Sequence, residues 1–144
     1  VIPHGRDAVN GQEAAQMLGK SYKTWRNARM ADKLGLRPFN PGRRTLLYDR
    51  AQVEAACDGR PLPAWPVGTT QHPADLLDEQ DAAEYLGVSY ATVRHDRATE
   101  RLGDAWTQIG GVAHIRRGDL DELIAARPGR GVGGGRPRSI QRSE

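Results

Sequence analysis

Glu13-Ala-Ala-Gln-Met-Leu-Gly-Lys-Ser-Tyr-Lys-Thr-Trp-Arg-Asn-Ala-Arg29 aligns without a gap on Asp81-Ala-Ala-Glu-Tyr-Leu-Gly-Val-Ser-Tyr-Ala-Thr-Val-Arg-His-Asp-Arg97, 68 residues further along the chain. Nine of the seventeen positions are identical, among them Leu18/Leu86, Gly19/Gly87, Ser21/Ser89, Tyr22/Tyr90, Thr24/Thr92, Arg26/Arg94 and Arg29/Arg97. The match continues at Leu34-Gly35 on Leu102-Gly103 and, after a deletion of one residue, at Tyr48–Val53 on Ile115–Leu120. A period this regular marks a duplicated unit of about 50 residues.

Working outward, each copy predicts the same local structure. Ala14, Ala15 and Leu18, or Ala82, Ala83 and Leu86, give one apolar face to a short helix over 11–18 and 79–86. Gly19 and Gly87 end it, since glycine takes a left-handed cap without steric penalty. Ser21 and Ser89 stand where an N-cap hydroxyl starts a second helix, reaching about 30 and about 100. Trp25 and Val93 occupy its buried position. The Gly- and Pro-punctuated stretches 37–48 and 105–115 predict β-hairpins turning at Pro41-Gly42 and Gly110-Gly111. Closing helices follow over 50–57 and 118–126.

The chain accordingly divides into a unit over 8–60, a Pro-rich spacer over 61–75, a second unit over 76–127 and a Gly/Arg tail over 128–144 expected to be disordered when free. The expected fold class is mainly α with small β-hairpin wings. Trp65 and Trp106 read as packing anchors, and Cys57 as a structural residue. A single cysteine excludes an intramolecular disulfide and a Cys-based zinc site, and fits a reducing, cytoplasmic setting. His4, His72, His95 and His114 lack ligand spacing, so no metal and no cofactor is expected. No apolar run is long enough for a membrane span. No nucleophile–base pair or phosphate loop appears, and the chain does not read as an enzyme.

The net charge of +3 and pI of 9.4 suggest a polyanionic partner, and the distribution is more informative. Residues 10–60 carry net +5, residues 76–126 net −5, and the tail from Arg127 net +4. The acids of the second copy lie mainly on its first helix (Asp78, Glu79, Asp81, Glu84) and its last (Asp119, Asp121, Glu122). Two readings stay open for that copy: a basic face for DNA, or an acidic face for a protein partner or self-association.

Leu86-Gly-Val-Ser-Tyr-Ala-Thr-Val-Arg94 resembles the helix-turn-helix core shared by MerR-like regulators, phage excisionases and lac-type repressors, and the hairpin after it fits the MerR and excisionase branch. In the first copy Lys20 replaces the small apolar Val88. The resemblance implies two tandem winged helix-turn-helix units whose second helices enter the major groove of double-stranded DNA. It places Tyr22, Lys23, Arg26 and Asn27 against bases in the first copy, and Tyr90, Arg94 and His95 in the second. Tyr22 and Tyr90 could equally pack on their own helices. Arginine matches guanine O6 and N7, and Asn27 can pair with adenine. Ser21, Thr24, Arg29, Ser89, Thr92 and Arg97 are placed for phosphates. Arg43 and Arg44 fall at the first wing tip, with Arg116 and Arg117 beside the second. In the tail, Gly135-Arg-Pro-Arg138 resembles part of an AT-hook but has Gly134 where an arginine is wanted. Arg136 and Arg138 therefore serve either a minor groove or a sequence-blind electrostatic tether.

The resulting expectation is a sequence-specific, nucleoid-associated bacterial DNA-binding protein, a transcriptional regulator first. An excisionase-type recombination factor or plasmid-partition protein comes next, and a protein-interaction adaptor is the rival of another class. A spacer of this length spans roughly 22 Å as a coil and up to about 45 Å extended. Adjacent major grooves are about 34 Å apart, so one chain can occupy both. Copies in head-to-tail order favour a direct repeat of half-sites, although a loose spacer permits an inverted one.

Overall fold

The computed structural model describes residues 1–65 and 71–126 and is mixed α/β, with seven helices and two small sheets among them. The duplication organises all of it. In the first half, strand β1 (Ala8–Asn10) leads into α1 (Gly11–Met17), α2 (Tyr22–Asn27), α3 (Met30–Leu34), β2 (Leu47–Asp49) and α4 (Arg50–Cys57). The second half runs β3 (Leu76–Asp78), α5 (Glu79–Leu86), α6 (Tyr90–Ala98), β4 (Thr107–Ile109), β5 (Val112–Arg116) and α7 (Arg117–Ala126).

Antiparallel pairing repeats in register. Val9 faces Tyr48 in the first sheet, and Leu77 faces Ile115 in the second. These strands seat the first helix of each half through the same device. Asn10 caps α1 by accepting from the Glu13 amide while the Glu13 carboxylate accepts from the Asn10 amide; Asp78 and Asp81 do the same for α5. Each such box satisfies two donors that a helix N-terminus otherwise leaves unpaired. The apolar cores also correspond: Val9/Leu77, Ala14/Ala82, Ala15/Ala83, Trp25/Val93, Tyr48/Ile115 and Val53/Leu120 are all buried.

Trp25 against Val93 is the largest change of volume within this shared core, and a neighbour compensates for it. A Cβ on Gly11 would stand 2.9 Å from Trp25 Nε1, whereas the second half carries Glu79 at that position. The bulk added at one position is removed at the other.

Three local expectations change. The expected first hairpin is a strapped loop: Pro38 and Pro41 have no N–H to give a ladder, and only a single bridge, Pro38 to Tyr48, forms. Asn40 holds the loop instead, donating to Thr45 O and accepting from the Leu47 amide, both at 2.8 Å. The second hairpin does form, with Gly110 and Gly111 at φ of 57° and 85°. Such a turn needs positive φ at both central residues. The second helix of the first half breaks at Arg29, which has φ of 51°, while α6 stays helical to Ala98 and reverses at Glu100. Cys57, read as structural, is exposed at the end of α4.

The halves are not separate beads. Ile2, Phe39 and Leu47 form a third apolar cluster, against which Ala8, Trp65, Leu76, Ile109 and Val112 pack from both sides. Ile2 and Leu76 exchange two backbone hydrogen bonds of 2.9 Å. The segment read as a spacer is docked at its described ends. Trp65 packs on Phe39 at 5.1 Å, and Gln52 donates to Pro63 O. Asp75 accepts from the His4 and His72 amides and pairs with Arg117. Spacer reach therefore does not decide how the halves sit; their shared seam does. Among the described residues no helix is long and apolar enough to cross a membrane.

Candidate nucleic-acid interface

Ser21 and Ser89 start α2 and α6 with the same backbone, φ −75° and ψ 155°, and each hydroxyl accepts the amide of the threonine three residues on at 3.1 Å. The hydroxyls of Ser21 and Thr24, and of Ser89 and Thr92, also bond to each other. This fixes where both helices begin, and so which side chains leave the core. Trp25 and Val93 point in; Tyr22, Lys23, Arg26 and Asn27, like Tyr90, Arg94 and His95, are exposed.

The exposed faces also match in detail. The Arg26 guanidinium stacks over the Tyr22 ring at 5.5 Å, and Arg94 over Tyr90 at 5.6 Å. Both tyrosines are 41 % exposed. A guanidinium held on an aromatic face keeps its donor fork available while losing rotamer freedom in advance, which reduces the entropy lost on binding. The other residues of the two faces differ: Lys23 and Asn27 stand opposite Ala91 and His95.

Several residues placed on the interface from sequence are engaged inside the protein. Arg43 does not lie free at a wing tip. It donates to Asp78 at 2.9 Å and to Asp81 at 3.0 Å, across the seam, and only 24 % of its side chain is exposed. Burial works to raise the Asp78 carboxyl, but the Asp81 amide and the Arg43 guanidinium outweigh it and hold Asp78 below the ordinary carboxylate range. Arg97 is paired with Glu79 and lies over the Trp106 ring. Arg117, expected beside the second wing, is 8 % exposed, packs over the Tyr85 ring and faces Asp75 at 3.5 Å. Arg29, its helix broken, is exposed in a left-handed turn. Arg44 and Arg116 are exposed. Arg136 and Arg138 lie outside the described residues.

Two grooves run beside the second helices. One, of about 630 Å³, passes between Tyr22, Arg26 and Arg29 and the Gly110-Gly111 turn of the other half. The other, of about 270 Å³, passes between Tyr90, Arg97 and the Arg43–Arg44 loop of the first half. The one deeply buried histidine, His114, has its Nδ1 2.8 Å from Val112 O, and burial depresses its pKa. Among the described residues no three His, Cys, Asp or Glu side chains gather to hold a metal.

The residues that sequence reasoning missed are those of the seam. A local signal existed for two of them, because Asn10-x-x-Glu13 and Asp78-x-x-Asp81 follow the capping-box pattern. Nothing local marked Arg43 as the partner of Asp78, or Gly110 as that of Asn10. No protein-family model matches the chain, and no curated protein matches it.

Proposed function

We propose that the chain is a sequence-specific, duplex DNA-binding protein, a regulator built from two tandem winged helix-turn-helix units. In this reading the N-terminal ends of α2 and α6 enter adjacent major grooves, with Arg26 and Arg94 on guanine edges and Tyr22 and Tyr90 beside them. Lys23, Asn27 and His95 add contacts that differ between the halves. Arg29, Arg44 and Arg116, with the capping hydroxyls, serve the backbone.

The observation that supports it most is the recurrence of one exposed Tyr–Arg stack, at 5.5 and 5.6 Å, behind two serine caps of the same geometry. An exposed arginine by itself means little. Two of them, at matched positions on second helices that present a duplicated surface, fit a reader of a repeated polymer.

A second reading draws on the second half, where two of five arginines, Arg97 and Arg117, are held by Glu79 and Asp75. Residues 76–126 carry ten acids against five arginines, an excess that favours protein contact through this half. Selection of duplexes from a random pool by the full chain, followed by a salt titration, separates the two. Enrichment of one motif whose binding weakens steeply with salt supports the DNA reading. No enrichment favours protein contact.

A further inference from the structure

Two copies in head-to-tail order along a chain can still pack face to face. In a head-to-tail contact, patch A of one unit meets patch B of the next in one direction only. In a twofold contact, A meets B twice, once each way. The seam is of the second kind.

Asn10 and Asp78 occupy the same repeat position and each caps the first helix of its half. Asn10 Nδ2 donates to Gly110 O, at the turn of the second half, at 3.0 Å. Asp78 accepts from Arg43, on the loop of the first half, at 2.9 Å. The one-residue deletion falls between Gly35 and Tyr48, so Arg43 and Gly110 occupy the same place on the two tips to within one residue. The cap-to-tip contact is thus made in both directions. The approach is close: a Cβ on Gly110 would stand 2.5 Å from Leu47 Cδ2.

The grooves repeat the relation. One wall of the first carries Asn10, Gly11 and Gln12, and one wall of the second carries their counterparts Asp78, Glu79 and Gln80. Opposite lie Gly110 and Gly111 in the first groove, and Arg43 and Arg44 in the second. Arg44 and Thr45 from one tip and Gly111 from the other line both grooves, which puts the two tips at the centre of the seam.

We infer that the chain is an internal pseudo-dimer, and that its DNA site is an inverted repeat of unlike half-sites at one fixed spacing, centred opposite Arg44. This rests on the DNA-binding reading and adds the form of the site. A protein twofold is mirrored by palindromy in the DNA it binds. The seam, not the chain order, sets the relation of α2 to α6, so the direct repeat favoured by chain order gives way to an inverted one. Arg26 and Arg94 read the same base in each half-site. Lys23 against Ala91, and Asn27 against His95, make the palindrome imperfect. The shared apolar cluster and the Arg43 clamp leave little play, so spacing is fixed.

The test compares three duplexes carrying half-sites from a selected sequence: inverted, direct, and inverted with about five extra base pairs, half a helical turn. The full chain is expected to bind the first at least roughly tenfold more tightly than the others. Equal or tighter binding of the direct repeat overturns the pseudo-dimer reading, and tolerance of the insertion overturns the fixed spacing, while both leave DNA binding intact. Failure to bind any of the three above a random duplex overturns the DNA-binding reading itself, and this inference with it.

Discussion

Arg43 Nε lies 2.9 Å from the Asp78 carboxylate, so the loop of one half is bonded to the residue that caps the first helix of the other. Asp78 is 3 % exposed. Removing its cation while leaving its charge in place is expected to be more damaging than the place of Arg43 on a loop suggests. Arg43→Met should destabilise the fold by about 1–3 kcal/mol, the penalty of a buried polar group losing a partner. Urea unfolding measures it. The change should also broaden the range of half-site spacings bound, which a purely local role would not alter.

The two exposed stacks give the prediction most specific to DNA. Arg26→Ala and Arg94→Ala should each weaken binding of a selected duplex by about 1–3 kcal/mol and relax base preference at one position of each half-site. Thermal stability should hardly change, since both side chains stand on exposed faces. Unchanged affinity in the double variant would remove these residues from the interface.

Gly11 and Trp25 should behave as a pair. Gly11→Ala places a methyl 2.9 Å from Trp25 Nε1 and should destabilise by about 1–3 kcal/mol through overpacking. In a Trp25→Val background, with the valine that the second half carries as Val93, most of that penalty should go, leaving the Tyr22 Cε1 approach at 3.0 Å. A double-mutant cycle of unfolding free energies reads the coupling, and additive effects would contradict it.

Stability should fall in two stages as pH drops. Burial depresses His114, so the unfolded chain takes up a proton below about 6.5 before the folded one does, and stability declines from there. Asp75 and Asp78 are held low against their burial, Asp75 by the His72 and His4 amides first and Asp78 by the Asp81 amide first. Their contribution is complete above the unfolded carboxylate range near 3.8 and is lost as pH falls below it. His114→Gln should remove the first stage and leave the second in a series of melting curves.

The internal repeat made much of this legible, because the features it carried are local. Ser21 and Ser89 as caps, Gly19 and Gly87 in left-handed turns, and Trp25 and Val93 in the core all follow from residues within one turn of helix. The three-residue strands β1 and β3 are too short to show alternation, so the pairing that seats each first helix was not visible. Arg29 and Arg97 are identical residues at identical positions, yet one breaks a helix and the other continues it. The seam was hidden for a different reason: Ile2, Phe39, Leu47 and Trp65 meet only in three dimensions, and an arginine at a loop tip looks the same whether it faces solvent or a buried aspartate across a pseudo-twofold.

The most direct test of joint reading by α2 and α6 is a hydroxyl-radical footprint of the full chain on a selected duplex. Two protected patches on one face of the DNA, about one helical turn apart, are predicted. A single patch, or protection that follows no sequence, would contradict the account.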